Sequence, residues 1–331
     1  MTVASGVGSM PGQDAAAYAE AVRTVLGETP DVPSLPELPG RGADADMTGR
    51  ALAVMSELGA DLQPAGWRLT DSPGIDQRRA RSLLSQDLDA VEEQTQGYVG
   101  RFKIQVAGPW TLAATVERPR GDRLLADFGA RRELAQALAE GLRQHVADVR
   151  RRLPGAQVLV QVDEPALPAV MAGQIPTASG FSRHRSVHPP AASLALEWVF
   201  EAITSAGATP VAHCCAVDVP IRLLTGAGAQ GVSLDLSVLP LAAYDDIACL
   251  VEDGRSLFLG LVPAIEPVVP PTERGLTEQV VRLLDMLGFD PSSAGEALVV
   301  TPTCGLAGAT ELWARRALEL SRQVGANLTA S

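Results

Sequence analysis

Lysine is nearly missing from this chain. Lys103 is the only one among 27 basic residues, against 39 acidic residues and a formal net charge of −12. A nucleic-acid-binding surface needs a basic face, so this balance argues against one. Beside abundant alanine and glycine, the scarcity of lysine reads as the codon bias of a GC-rich genome rather than as chemistry. Cysteine is also sparse: Cys214, Cys215, Cys249 and Cys304 are the full set in 331 residues. That is no disulfide scaffold, and the neighbouring Cys214 and Cys215 cannot comfortably bridge each other, so a reducing cytoplasm is the expected compartment. Long apolar runs are absent too. The longest are of strand length, short of the roughly 20 residues that a membrane span needs. The opening MTVASGVGSMPG has neither a basic n-region nor an apolar h-region, so no signal peptide is expected.

What is present is an ordinary globular composition, 46% apolar and 20% charged. Short apolar, β-branched runs recur at 2–9, 31–37, 101–108, 157–164, 209–215, 231–237, 256–263 and 298–304. Amphipathic helical patterns separate them, such as Asp14–Leu26, Arg131–Arg151 and Glu273–Leu287, and Thr310–Val324 closes the chain. Strands that are apolar almost throughout, alternating with helices, signal a parallel sheet covered on both faces. Eight such units in residues 1–331 predict an α/β fold: one (β/α)₈ TIM-barrel domain with insertions after strands 2 and 4. The first insertion, 38–100, carries helices and a turn or hairpin at PAGWRLTDSPG; the second, 166–190, reads as a loop over the barrel mouth. Gly226-Ala-Gly228-Ala-Gln-Gly231 matches a dinucleotide-binding pattern, but it follows a helix and precedes a strand, the reverse of what that motif requires, so it is a turn.

The chemistry-bearing residues cluster at strand ends. His213 and Cys215 end TPVAHCC, Asp235 lies near the end of GVSLDLS, and Cys304 ends LVVTPTC. A lone cysteine is usually a small buried apolar residue. Thiolate, imidazole and carboxylate together, at the C-terminal ends of barrel strands, read instead as a Zn²⁺ site. His213 and Cys215 are one residue apart, so both point to one side of their strand while Cys214 faces the other. Cys249 falls in a helical pattern and reads as core. Asp163 and Glu37 lie at strand ends where they could hold an ammonium group, and Gly8-Ser9 could hold a carboxylate; Asp163 and Ser9 could equally cap a turn and a helix. Trp110 either stacks on a flat ligand or walls a pocket. His184, His188, Arg183 and Arg185 read as a solvated loop.

These motifs, taken in order, resemble the catalytic barrel of cobalamin-independent methionine synthases. The resemblance rests on Gly8-Ser9-Met10-Pro11, Gly108-Pro-Trp110-Thr111, Gln161-Val-Asp163-Glu164-Pro165-Ala-Leu167, His213-Cys-Cys215 and Pro302-Thr-Cys304-Gly305. It implies a zinc ion held by His213, Cys215 and Cys304, with Asp235 in the acidic position and released to the substrate. It implies homocysteine contacts at Gly8, Ser9, Glu37 and Asp163, and methyl transfer to the homocysteine thiol. It departs in three places. The family carries Glu where this chain has Asp235, and the segment after the seventh strand, Gly260 to Pro267, has no histidine, leaving Glu266 as the acid. The large enzymes also use a second barrel to bind a folate donor, which these residues do not match, so the expected donor is unassigned, with a methylated corrinoid protein as one option. Two alternatives remain at this point: a zinc-dependent alkyl-thiol transferase or lyase on another thiol, and a non-catalytic zinc- or thiol-binding barrel.

Overall fold

The computed structural model describes residues 2–55, 57–290, 295 and 297–330. Its strands are β1 (Val3–Ala4), β2 (Gly59–Gln63), β3 (Gly66–Thr70), β4 (Gly100–Ala107), β5 (Ala156–Asp163), β6 (Thr209–Cys214), β7 (Gly231–Asp235), β8 (Ser256–Val262) and β9 (Leu298–Pro302). Its helices are α1 (Ala15–Glu28), α2 (Met47–Val54), α3 (Ile75–Gln94), α4 (Pro109–Thr115), α5 (Phe128–Arg152), α6 (Leu167–Met171), α7 (Pro189–Ser205), α8 (Ile221–Gly226), α9 (Tyr244–Glu252), α10 (Glu273–Leu287) and α11 (Glu311–Ala330). Helices α1, α5 and α10 start where a short polar side chain can satisfy a free backbone N–H. Asp14 accepts from Ala17 N at 2.9 Å, Asp127 from Ala130 N at 2.9 Å and Thr272 from Gly275 N at 3.1 Å. Among the described residues no helix is long and apolar enough to cross a membrane.

Seven strands form one curled parallel sheet in the order β1-β9-β8-β7-β6-β5-β4, with β2 and β3 as a separate antiparallel hairpin. Every pairing in the large sheet is parallel. All seven C-terminal ends therefore open on one side, where residues of neighbouring strands lie level: Ala107 with Asp163, Asp163 with His213, and Asp235 with Gly260.

Six of the expected strands form over nearly the expected residues, and two do not. Only Val3–Ala4 of the 2–9 run is regular strand, and 31–37 makes isolated bridges, Ser34 with Lys103 and Ser9 with Glu37. Proline explains the second case. Pro33 and Pro36 have no N–H to donate, so the ladder is interrupted at both. What remains is Lys103 N donating to Pro33 O (2.9 Å), Leu35 N to Lys103 O (2.7 Å), Glu37 N to Gly8 O (3.1 Å) and Met10 N to Glu37 O (2.7 Å). These bonds tie the β4 edge of the sheet to the chain leaving β1.

The two faces of the sheet pack differently. The helices cover one face with a large apolar core that includes Ala212, Cys214, Val232 and Leu234. The other face holds a small, separate cluster: Val3, Val32, Leu159, Val211, Phe258 and Val299. Because side chains alternate along a strand, this inner cluster sets which residues follow it toward the open end. Leu159 is followed by Gln161 and Asp163, and Val211 by His213 and Cys215.

Behind the sheet's open edge lies a buried ionic network. Arg41 forks onto both oxygens of Asp87 at 2.7 Å, Arg50 reaches Asp87 at 2.7 Å and Glu37 at 3.1 Å, and the Arg41 guanidinium sits 4.7 Å from the Tyr18 ring centre. Asp87 is 2% exposed and Arg50 4%. A buried ion pair adds little net stability, but breaking one strands its partner, at a cost of about 3–5 kcal/mol. Asp87→Ala removes the shared partner of both arginines, and chemical denaturation should show a loss in that range. A variant as stable as the parent would show that water reaches the two arginines.

Candidate functional site

At the C-terminal ends of the strands a cavity of about 290 Å³ is lined by Val7, Gly8, Ser9, Glu37, Pro39, Met47, Gln105, Asp163, Pro165, His213, Cys215, Cys304 and Gly305. These residues come from segments more than 250 positions apart in sequence, gathered by strand order alone.

One wall carries soft donors. A ligand atom from each of His213, Cys215 and Cys304 lies within 4.8 Å of the others. The two sulfurs are 3.3 Å apart, somewhat closer than the ~3.8 Å separating two thiolates on tetrahedral zinc. His213 Nδ1 is 2.9 Å from Ser233 Oγ, which fixes the ring and leaves its other nitrogen toward the cysteines. The hydrogen bond between the two sulfurs, with His213 beside them, pulls Cys304 well below the ordinary thiol range, and the same contact pushes Cys215 up. One nitrogen and two sulfurs, half-buried and with one side open to the cavity, match the donor set of a zinc site that keeps a position free.

The adjoining wall is acidic. Asp163 is 7% exposed and Glu37 5%. Burial raises both carboxyls, Asp163 to about 7 despite the neighbouring His213, and Glu37 despite Arg50. Asp163 accepts from Gln161 Nε2 at 2.7 Å. Below them Lys103 is fully buried; burial pulls its ammonium down to about 8, while Asp163 and Glu37 pull it back up. Two buried acids beside a cavity form a receptor for a cation.

The Gly8-Ser9 edge depends on close approach. Gly8 has φ +151°, and a Cβ there would meet the Gln105 side chain at 2.7 Å. A Cβ on Gly305 would collide with Ser9 Oγ, so the chain after Cys304 can pass Ser9 only as glycine. Leu306 N then donates to Ser9 O at 2.8 Å.

Three expected site residues lie elsewhere. Asp235 ends its strand as expected, but its carboxylate accepts from Ser237 N (2.8 Å) and Ser237 Oγ (2.6 Å) and is not part of the His213–Cys215–Cys304 group. A short side chain followed by Ser237 caps its own turn instead of reaching inward. Trp110 is buried beside a different, apolar pocket; its indole N–H donates to Ala192 O at 3.0 Å, and Arg131 lies 5.8 Å from its ring centre. Glu266 is exposed and does not line the cavity.

Other expectations also change. Cys249 is exposed on α9 rather than core. His184 is buried and sits 3.2 Å from Asp122, whereas Arg183 and Arg185 are exposed and away from the cavity. Glu164 has a structural role: it accepts from Trp110 N (2.9 Å), Thr111 N (2.8 Å) and Thr111 Oγ1 (2.8 Å), capping the start of α4 from the end of β5. That contact joins the Gly108-Pro-Trp-Thr segment to the Asp-Glu-Pro segment.

Sequence reasoning missed Lys103, Gln105, Gln161 and Ser233. The signal was available: polar residues two apart inside otherwise apolar strands, as in Lys103–Gln105 and Gln161–Asp163, mark one polar file on one face.

The fold is similar to that of a B12-independent methionine synthase from Shewanella sp. W3-18-1, solved in complex with selenomethionine, at a TM-score of 0.64 and 13% identity, covering 100% of this chain and 98% of that one. A β-mannanase from the blue mussel Mytilus edulis is similar at a TM-score of 0.46 and 9% identity, over 100% of this chain and 92% of that one. Among curated proteins, no sequence matches. The model of the cobalamin-independent synthase catalytic domain matches residues 102–327, and the chain belongs to the cobalamin-independent methionine synthase family.

Proposed function

We propose that this protein is a zinc-dependent S-methyltransferase that methylates the thiol of homocysteine to form methionine. The observation that carries the reading is one cavity with the nitrogen-and-sulfur donor group on one wall and two buried carboxylates on the other. An amino acid with a terminal thiol has those two ends. At about 290 Å³ the cavity sits at the small end of ligand pockets, roughly 300–1,000 Å³. That suits an amino acid better than a large cofactor.

In this reading His213, Cys215 and Cys304 hold the metal, and Ser233 orients the His213 ring. Zinc held there would lower the pKa of a substrate thiol, making a thiolate available at neutral pH. Asp163 and Glu37 receive the ammonium group, and Gly8 and Ser9 offer a backbone N–H and a hydroxyl to the carboxylate. The substrate side chain would then point at the metal-binding group, where methyl transfer would form the S–C bond as the bond between the methyl and its donor breaks. Asp235 acts on Ser237 and is not assigned to the metal, and no acid–base role is proposed for Glu266.

The same reading takes residues 31–37 as the second of eight strands in a closed barrel and the whole chain as one catalytic domain, with 38–100 and 166–190 as additions to it. Free cysteines suit a reducing cytoplasm. The methyl donor is the open chemical variable. Methyltetrahydrofolate, methylcobalamin and a methylated corrinoid protein are the three to compare.

Three outcomes are expected. Metal analysis should give about one zinc per chain, lost in Cys304→Ser and kept in Asp235→Ala; retention in the first variant would remove the metal assignment. Incubation of the zinc-loaded protein with homocysteine and each donor should yield methionine with one of them. Asp163→Asn should raise KM for homocysteine by about 10–100-fold through the lost charged contact. Thiol binding without turnover on any donor would favour a binding protein instead.

A further inference from the structure

The one lysine of the chain has no part in the chemistry just described, yet it is fully buried at the bottom of the site. Lys103 lies on β4, and its Nζ donates to Val7 O at 2.8 Å and to Gln161 Oε1 at 2.7 Å. A protonated amine has donors only, so the Gln161 amide must turn its oxygen toward it. The amide nitrogen of Gln161 then faces away, donating to Asp163 Oδ1 at 2.7 Å and to Val7 O at 3.0 Å. Val7 O and Asp163 select the same orientation from the nitrogen side, and Lys103 completes it by giving the buried amide oxygen a charged donor; without Lys103 that oxygen would lose this partner and the acids above it their counter-charge.

The backbone of Lys103 works in the same direction. Its N–H and C=O pair with Pro33 and Leu35, the segment that ends at Glu37. Lys103 is thus tied to both acids: to Asp163 through Gln161, and to Glu37 through the chain. Val7, whose carbonyl accepts from both Lys103 and Gln161, leads directly into Gly8 and Ser9.

We propose that Lys103 is a positioning residue that never touches substrate: by orienting Gln161 and supplying a counter-charge beneath the acidic wall, it holds Asp163 aligned for the substrate ammonium. This rests on the amino-acid substrate proposed for the cavity. It makes Lys103 a determinant of amino-group recognition rather than of thiol chemistry.

The test compares homocysteine with its deaminated analogue 4-sulfanylbutanoate in zinc-loaded wild type, Lys103→Met and Gln161→Met, measuring binding by calorimetry. Wild type should prefer homocysteine. Lys103→Met should weaken homocysteine by at least about tenfold while changing the analogue by less than about twofold, since only a contact to a charged group is lost. Gln161→Met keeps the lysine, removes the relay and should show the same selective loss; it decides the matter if Lys103→Met does not fold. Equal weakening of both ligands, or no change in either variant, would overturn the positioning role. A wild type that does not discriminate the two ligands would instead overturn the amino-acid reading of the cavity, and the two failures are separable on that basis.

Discussion

Burying negative charge is the constraint around which this structure is organised. Glu37 and Asp163 sit side by side at the open end of the sheet, both almost fully enclosed, and neither could remain ionised there without compensation. The surrounding residues provide it from two directions. Arg50 pairs with Glu37 from the helical side, and Asp87 and Arg41 hold that arginine in place. Lys103 approaches from inside the sheet and acts on Asp163 through Gln161. Burial still leaves both carboxyls raised, and a cationic group arriving beside them would favour their charged form.

The soft wall follows a different logic. His213 and Cys215 share one side of β6 because strand side chains alternate, and Cys304 reaches them from β9, three strands away in the sheet. Only a sheet with all strands parallel puts the ends of β5, β6 and β9 on one face, and only its curl brings them across a cavity of this size. Ser9 and Gly305 close the remaining gap, one because of its hydroxyl and the other because it has no side chain. The two walls are distinct in chemistry and continuous in structure: Asp163 and His213 are level partners on β5 and β6.

Much of this was legible in the order of residues. Strand–helix alternation marked the parallel sheet, and His213, Cys215 and Cys304 stood out as soft residues at strand ends. Gly8, Ser9, Glu37 and Asp163 were marked by position and type, and all seven line the cavity. Asp235 holds a strand-end position like that of a ligand, and the serine two residues later offers it a nearer partner than the cysteines do. Lys103 was read as compositional accident because a lone lysine in an apolar strand carries no hint of what it will face. Residues 31–37 had the apolar character of a strand, but two prolines limited them to isolated bridges.

The sequence by itself determined the class of fold, the family and the kinds of donor available, because each depends on local pattern: period, residue type and spacing along the chain. Which donors meet was decided by the tertiary structure alone. Contacts between Lys103 and Gln161, Cys215 and Cys304, or Glu37 and Arg50 depend on strand order, register and curl, and these emerge only when the whole chain packs.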